Sequence, residues 1–359
     1  PPQMRQQIIG PNVPLYILYG AFLSLVFSSF FAYIRDRLDN VYHSQEEVTK
    51  DLNLVNLGSI PHVDFFKGVR EDKRFILDFI NEDMVNDNNQ IKKANYQRFF
   101  YQEAFRNLIT SIGFLESDKK IKSISLTSSL PSEGKSLINV LLAKTYSELD
   151  KKVLLIDADM RKPQLHTRLG LNNLVGLSNI LTDNSLELKN VIQSVKGFDN
   201  WDVITAGLKP PDPTRILSSD RMNKIIESLI SLKKYDIILF DTPPVLGLAD
   251  SALIAKKTDG MILLVSLDKV PKSLPKESIS RIESSGAKLL GLVTNSIMPQ
   301  KKLLFNYGGY VETEYGVNAV YNNYIDDEDN ETSNFENEKE SLKARIKKQL
   351  NNFLNWIDK

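Results

Sequence analysis

The sequence of 359 residues contains no cysteine, and its 45 basic and 45 acidic side chains leave it without net charge. The lack of cysteine excludes disulfides, thiolate metal sites and cysteine nucleophiles, although it leaves the redox compartment open. Without net charge there is no overall field to attract nucleic acid, so we expect no nucleic-acid partner and only local electrostatic functions. The length allows two domains or one large domain with appended segments, and one large domain with appended segments fits the sequence better.

Charged residues are also missing between Arg5 and Arg35. The apolar part of this stretch is long enough to cross a bilayer core of about 30 Å as a helix, and it ends at the charged sequence RDR. A buried core helix and a signal peptide are the alternatives. The arginines after the apolar stretch favour a cytoplasmic location for the C-terminal side of the chain. We predict an external remnant over residues 1–12, a transmembrane helix over 13–34, and a juxtamembrane linker over 35–95 in which LNLVNLGSIPHV is a short strand and turn.

From residue 96 onward, apolar strand patterns alternate with segments long enough to form helices. Such near-continuous apolar runs are typical of a parallel sheet that is covered on both faces. We predict an α/β domain over residues 96–300, with a mostly parallel sheet of the P-loop NTPase type and helices on both faces. The runs interpreted as strands are IKSISLT, KVLLIDA, WDVITA, YDIILFDTPP, GMILLVS and KLLGLVTN.

A phosphate-binding loop is indicated where the first of these strands runs into LPSEGKSLINVLLAK. The end of this loop matches the P-loop pattern, although Ser129 stands where the first glycine is usually found. Backbone N–H groups and the start of the next helix can hold phosphates in such a loop. The lysine can neutralise the β- and γ-phosphate oxygens of ATP, and the adjacent serine hydroxyl can hold Mg²⁺. The predicted nucleotide-binding residues in the loop are Ser132, Glu133, Gly134, Lys135, Ser136 and Leu137.

Three aspartates close two further apolar strands. Asp157 and Asp159 lie two positions apart, so their side chains point to the same side and can share a metal ion or a proton. Asp241 ends another strand, where a carboxylate can hold or orient Mg²⁺. A single aspartate at a strand end is more often a helix cap or turn residue. Three beside a P-loop indicate a nucleotide site, because ligands of open parallel sheets collect at the carboxyl ends of the strands.

These motifs resemble those of bacterial tyrosine kinases fused to membrane polysaccharide copolymerases of the chain-length regulator type. The resemblance rests on TSSLPSEGKS, LLIDADMRKP, LFDTPPVLGLAD and AGLKPPDPTRILSS, on the apolar N-terminal segment and on a tyrosine-rich C-terminal region. It implies an inner-membrane protein with a cytoplasmic autokinase domain that regulates polysaccharide chain length, polymerisation and export. The implied partners are other copies of the chain, the inner membrane, a polysaccharide polymerase with its export machinery, and a tyrosine phosphatase.

The resemblance also implies a role for each residue of the predicted catalytic site. Lys135 binds the β- and γ-phosphate oxygens of ATP. Ser136 coordinates Mg²⁺ with the help of Asp159 and Asp241. Asp157 accepts the proton of the incoming tyrosine, although Asp159 is an alternative base.

Four further residues carry two interpretations each. Arg161 adds positive charge near the site, or it pairs with a surface carboxylate. Asn295 contacts the adenine ring, or it is a turn residue after its strand. Glu103 and Arg106 belong to a family motif that joins subunits into a ring, or they form an ordinary ion pair on a helix. The second arginine of that motif is replaced by Ile109.

Residues 301–325 are predicted to form a tyrosine-rich tail. Glycine and asparagine pairs within NYGGYVETEYGVNAVYNNY supply flexibility, so the tail can reach the active site of a neighbouring copy. Solvated loop residues are the alternative interpretation of these tyrosines. An acidic segment and an amphipathic helix are predicted over residues 326–359. The predicted phosphoacceptors are Tyr307, Tyr310, Tyr315, Tyr321 and Tyr324.

A second class of function is a P-loop ATPase or a nucleotide-controlled assembly scaffold of the partitioning and division-site type. That group shares the P-loop fold, but it carries an additional lysine early in the loop, at the position of Leu130. The apolar N-terminal segment and the tyrosine-rich region also count against this alternative.

Overall fold

The computed structural model describes residues 13–61, 88–115 and 120–296. Within these residues a single sheet is covered by helices on both faces. The strands are β1 (Asn56–Ile60), β2 (Ser123–Ser128), β3 (Val153–Asp157), β4 (Ile192–Ser194), β5 (Trp201–Ile204), β6 (Ile237–Asp241), β7 (Gly260–Leu267) and β8 (Leu289–Ser296).

The strand order across the sheet is β1-β8-β7-β2-β6-β3-β5-β4. All neighbours pair in parallel except β4 and β5, which are antiparallel. The mostly parallel sheet and its six apolar strands are therefore confirmed. The edge strand β4 was not predicted, because three residues of mixed polarity carry no readable period. The strand that leads into the P-loop lies near the centre, beside the strand that ends in Asp241.

The described residues also contain ten helices. They are α1 (Val13–Leu38), α2 (Gln45–Leu52), α3 (Asn88–Phe114), α4 (Lys135–Glu148), α5 (Leu165–Leu169), α6 (Leu177–Thr182), α7 (Pro213–Ser218), α8 (Asp220–Ser231), α9 (Asp250–Ala255) and α10 (Ser273–Ser284), and Leu188–Asn190 form a 3₁₀ turn.

Alternate residues of each strand pack into cores on opposite faces of the sheet. In β3, Leu155 joins the cluster under α3 and α4, whereas Leu154 and Ile156 join the cluster under α6, α8 and α9. Strands buried on both faces need apolar residues at successive positions. This requirement explains why the strands appear in the sequence as continuous apolar runs.

The predicted membrane segment forms α1, which extends four residues beyond the predicted end at residue 34. Its stretch Pro14–Arg35 has a mean hydropathy of 1.9, and none of it is buried against the rest of the protein. By length and composition this helix can cross a membrane.

The strand predicted within the juxtamembrane linker is present as β1, but it is an edge strand of the main sheet. It pairs in parallel with β8, with Ser59 opposite Thr294. The preceding chain is attached as well, because the Asp268 and Lys272 backbone N–H groups donate to the carbonyls of Tyr42 and Asn40, each at 2.8 Å. The predicted extent of the juxtamembrane linker over residues 35–95 stays a prediction. Residues 39–60, hereafter the docked segment, pack against the sheet, and this contact cannot be read from local sequence.

The predicted tyrosine-rich tail and terminal amphipathic helix lie outside the described residues.

Candidate nucleotide-binding site

The loop between β2 and α4 adopts a conformation that depends on a glycine. Ser132 and Gly134 have φ angles of 64° and 100°, in the left-handed region. At Gly134, a Cβ atom would lie 2.8 Å from Nδ2 of Asn295, so this position has neither the backbone freedom nor the space for a larger residue. Loops with left-handed residues before a helix form concave sets of N–H groups that bind anions.

Glu133 holds this loop to the neighbouring strands. Its side chain is fully buried and accepts hydrogen bonds from the backbone N–H groups of Leu130 at 2.6 Å and Ser266 at 3.1 Å. Its carbonyl accepts from the Ser266 hydroxyl at 3.1 Å. Burial raises the pKa of the Glu133 carboxyl group. The Glu133 side chain thus supports the loop. The predicted contact of Glu133 with the nucleotide would be made by its backbone N–H group.

Asn295 lies within β8 rather than after it, so its interpretation as a turn residue was wrong. Its amide donates to the Glu133 carbonyl at 2.8 Å, and the residue is 8% exposed. This bond ties β8 to the phosphate-binding loop. Contact with an adenine ring stays a prediction for this residue.

The start of α4 joins the loop to the third aspartate. Lys135 is buried, and the Ser136 hydroxyl is hydrogen bonded to the carboxylate of Asp241. Asn139, one turn further along the helix, donates to Asp241 Oδ1 at 2.9 Å. Burial raises the pKa of Asp241, whereas the charge of Lys135 and these two hydrogen bonds oppose the rise. The predicted convergence of the P-loop with this strand end is therefore confirmed.

Two buried carboxylates lie side by side at this edge of the sheet. Asp157 is the direct register partner of Asp241 in the β3–β6 pair, and both are almost fully buried. Burial, reinforced by the negative charge of Asp241, raises the pKa of Asp157 well above its usual range. Such a pair is unfavourable unless protons or cations neutralise it. A divalent cation with a polyphosphate would provide that compensation.

The remaining predicted carboxylate, Asp159, is half-buried. Its Oδ1 atom accepts from the backbone N–H of Lys162 at 3.0 Å, and its own N–H donates to Asp157 Oδ1 at 3.3 Å. Within the described part of the chain, Oδ2 of Asp159 takes part in no hydrogen bond. This oxygen is thus available for a metal ion or a proton. The donors fit Mg²⁺, which is usually bound by one or two carboxylates together with substrate phosphates.

Arg161 pairs with a carboxylate, but the partner is buried rather than on the surface. Its Nε lies 2.6 Å from Asp250 Oδ2 and its Nη2 lies 3.2 Å from Oδ1. Asp250 is 1% exposed, and Thr214 donates to it at 2.7 Å. This ion pair fastens the loop after β3 to α7 and α9. The ion pair with Asp250 accounts for the position of Arg161, and the contribution of its positive charge to the site stays a prediction.

Two residues near the carboxylates were missed by the sequence analysis. One is Asn139, which bonds to Asp241, and the other is Arg168 in α5. The Arg168 guanidinium donates to Gln164 Oε1 at 2.9 Å, and burial lowers its pKa while the charge of Asp241 raises it. Neither residue belongs to a recognisable motif. Their closeness to the site depends on helix orientation, so no local signal could have identified them.

The residues predicted to join subunits form an ion pair on α3. Arg106 Nη1 lies 2.6 Å from Glu103 Oε1, and both side chains are partly or largely exposed. This geometry is that of an ordinary i, i+3 helix pair. Ile109 is half-buried and packs against the core under α3. A role of Glu103 and Arg106 in a ring stays a prediction.

The other predicted loop residues divide between surface and core. Ser132 is exposed, whereas the side chain of Leu137 packs in the core and leaves only its backbone for a ligand. The five predicted phosphoacceptor tyrosines lie outside the described residues.

Comparison with known proteins agrees with this geometry. A family model described as an AAA domain matches residues 121–271. The chain is 36% identical over 207 residues to the tyrosine-protein kinase YwqD of Bacillus subtilis, covering 58% of this chain and 86% of that protein. It is 36% identical over 214 residues to the tyrosine-protein kinase wzc of Salmonella typhimurium, covering 59% of this chain but 29% of that protein.

A solved structure shows the same fold. The kinase domain of the Escherichia coli tyrosine kinase ETK is 27% identical and superimposes with a TM-score of 0.60. The match covers 74% of this chain and 99% of that domain.

Proposed function

Because the chain belongs to the family of bacterial tyrosine-protein kinases, we propose that it is an autokinase that transfers the γ-phosphoryl group of Mg-ATP to tyrosines of its C-terminal region. The observation that carries this proposal is the convergence of the phosphate-binding loop with buried carboxylates. Asp157 and Asp241 lie side by side, and the Ser136 hydroxyl bonds to Asp241. This arrangement leaves negative charge that a cation with a polyphosphate would balance.

Phosphoryl transfer requires little covalent chemistry from the protein. The phenolic oxygen forms a bond to the γ-phosphorus while the bond from phosphorus to the bridging oxygen breaks, and ADP leaves with the electron pair. Lys135 neutralises phosphate oxygens, and the backbone N–H groups of residues 132–137 hold the phosphates in place. Mg²⁺ held by Ser136, Asp159 and Asp241 would supply further neutralisation of the developing charge.

In this proposal Asp157 accepts the phenolic proton, and Asp159 is the alternative base. Burial and the negative charge of Asp241 raise the pKa of Asp157, which makes it a stronger base than an ordinary carboxylate. Asp159 has a carboxylate oxygen without a hydrogen bond in the described residues, and its backbone N–H donates to Asp157 Oδ1 at 3.3 Å.

The cellular role is inferred from the family resemblance and from α1. The helix anchors the chain in the inner membrane with the kinase domain in the cytoplasm. There the kinase phosphorylates neighbouring copies within a homo-oligomer and regulates the chain length, polymerisation and export of a polysaccharide. Its further partners are the polymerase with its export machinery and a tyrosine phosphatase that reverses the reaction.

Labelling with γ-labelled ATP tests the proposal. The Lys135→Met variant should lose tyrosine labelling by roughly 10²–10³-fold, because a cation at the developing charge is removed from a buried site. Lys151→Met provides a matched control, since Lys151 is exposed at the amino end of β3, on the opposite edge of the sheet. Free phosphate without labelled protein would instead support the ATPase alternative. Full labelling by the Lys135→Met variant would contradict the assignment of the site.

A further inference from the structure

Two successive carbonyl groups of the phosphate-binding loop are held by side chains from β7, from β8 and from the loop that follows β7. The Ser132 carbonyl accepts a hydrogen bond from the Lys269 ammonium group. The Glu133 carbonyl accepts from Asn295 Nδ2 at 2.8 Å and from Ser266 Oγ at 3.1 Å. Ser266 and Asn295 are register partners in the β7–β8 pair. The three donors therefore approach the loop from the same side.

These hydrogen bonds also set the direction of two backbone N–H groups. In a trans peptide unit the carbonyl and the following N–H point in opposite directions, and the described residues contain no cis peptide bond. Because the Ser132 carbonyl faces Lys269, the Glu133 N–H is directed to the opposite side. The Glu133 carbonyl sets the direction of the Gly134 N–H in the same way. Both N–H groups belong to the set that we assign to phosphate binding.

The backbone of Ser132 needs support of this kind. Its φ angle of 64° lies in the left-handed region, which a residue with a side chain keeps only where its surroundings hold it there. The Ser132 side chain is exposed, so packing against the core does not provide that support. The hydrogen bond from Lys269 to the Ser132 carbonyl provides it instead.

The backbone that carries Lys269 is itself fixed. The Asp268 N–H donates to the Tyr42 carbonyl of the docked segment at 2.8 Å, and Val270 is fully buried. The Lys269 side chain is exposed, but its charge acts on the loop. Burial raises the pKa of the Glu133 carboxyl group, and the charge of Lys269 is among the groups that oppose this rise. Lys269 is thus presented to the phosphate-binding loop from a firm base.

We propose that Lys269 is a positioning residue for nucleotide binding that acts through the backbone of the phosphate-binding loop. It holds the Ser132 carbonyl on one side, while Ser266 and Asn295 hold the next carbonyl there, and the two following N–H groups are left facing the phosphate position. This inference rests on the proposed binding of Mg-ATP at this loop. The ligand class is a nucleoside di- or triphosphate, because concave sets of N–H groups bind anionic oxygens.

Equilibrium titration of the full chain with nucleotide tests the proposal. Lys269→Met keeps an unbranched side chain of similar length but removes the ammonium group. The Kd values for ADP and for a non-hydrolysable ATP analogue should both rise about fivefold, because an exposed, charge-assisted hydrogen bond that orders the loop is lost. Unchanged Kd values would overturn the proposal. A loss of affinity for the ATP analogue alone would also overturn it, since Lys269 would then contact the γ-phosphate directly.

A matched variant controls for the removal of a surface charge. Lys288 is exposed and immediately precedes β8, so it lies at the opposite edge of the sheet. Lys288→Met should leave both Kd values unchanged. Because Lys269 is exposed, Lys269→Met should unfold at nearly the same temperature as the parent. If Lys288→Met weakens nucleotide binding as much as Lys269→Met does, the effect is one of overall charge and the proposal is wrong.

Kinetics of tyrosine labelling separate positioning from catalysis. Bound nucleotide orders the loop, so Lys269→Met should raise the KM for ATP about fivefold and change kcat by less than about twofold. A lower kcat with an unchanged KM would contradict a role in positioning. If nucleotide affinity depends on Lys269 as expected but the parent labels no tyrosine, the proposed kinase function fails while this inference stands. The two failures are therefore distinguishable.

Discussion

The carboxylates at the nucleotide-binding edge of the sheet differ from those around the docked segment. Asp157 and Asp241 are buried side by side, and burial raises the pKa of both. Asp51, in the docked segment, has a lowered pKa because Lys276 and Tyr42 donate hydrogen bonds to it. Like charges are thus brought together where a cationic ligand is expected, whereas Asp51 in the docked segment is stabilised by a cation and a hydroxyl group.

The docked segment makes this pairing with one ion pair and one hydrogen bond from a buried tyrosine. Lys276 Nζ lies 2.7 Å from Asp51 Oδ1, and the Tyr42 hydroxyl lies 2.5 Å from Asp51 Oδ2. His43 lies between Asp268 at 2.5 Å and Asp39 at 3.0 Å. Exposed pairs of this kind contribute little to stability, typically about 0–1 kcal/mol each. The buried pair at the site costs stability until a ligand binds. The buried carboxylates Asp157 and Asp241 therefore serve ligand binding, whereas the charged residues around Asp51 attach the docked segment to the domain.

Neutralising one of the paired carboxylates should have the largest effect. The Asp241→Asn variant should lose tyrosine labelling by roughly 100-fold or more, because a ligand of the cation is removed. Its free energy of unfolding without nucleotide should exceed that of the parent at neutral pH. The pKa of Asp241 is raised in the folded state, so its contribution to stability is complete below the ordinary value of 3.8 and is lost as the pH rises through the raised value.

Denaturant unfolding at several pH values measures this effect. The stability difference between Asp241→Asn and the parent should vanish near pH 3.8 and grow toward neutrality. Asp199→Asn, at an exposed position, is the matched control and should behave as the parent does. If the Asp241→Asn variant is less stable than the parent at every pH, then the ionised Asp241 carboxylate does not lower the stability of the protein.

A substitution in the phosphate-binding loop tests how rigidly the site is built. Gly134→Ala should lose about 1–3 kcal/mol of stability, because the left-handed backbone is strained by a side chain, and a Cβ atom would meet the Asn295 amide at 2.8 Å. Nucleotide affinity should fall with it. The control is Gly197→Ala, where φ is 87° but the space around the glycine is open. Equal nucleotide affinity in the Gly134→Ala variant and the parent, by titration, would show that the loop tolerates the contact.

The smallest effect is expected in the docked segment. Asp268→Asn should cost no more than about 1 kcal/mol, since the His43 side chain is about half exposed. The hydrogen bond that His43 donates to Asp268 raises the pKa of His43, aided by Asp39. This contribution is present below the ordinary value of 6.5 and is lost as the pH rises through the raised value.

Thermal unfolding across that pH range checks the prediction. The parent should lose stability as His43 deprotonates, and Asp268→Asn should show a shallower loss. Glu47, whose carboxylate accepts from the His43 backbone N–H at 3.3 Å, is retained in both proteins. An identical pH dependence in parent and variant would mean that Asp268 does not hold the proton on His43.

Several features of this protein were determined by its sequence alone. The apolar helix α1, the six main strands and the glycine-dependent loop could be predicted, because hydrophobic period and motif spacing are local properties. The placement of Asp157 and Asp241 at one edge could also be predicted, since parallel strands bring their carboxyl ends together.

Other features were decided only by the tertiary structure. The register that sets Asp157 against Asp241, the bond from Asn139 and the pairing of Arg161 with the buried Asp250 each join residues far apart in sequence. The same holds for β1, whose five residues become part of the sheet only through β8. Such contacts depend on how strands pair and how helices are oriented over them. Local propensity contains no information about these distances, and only the folded chain sets them.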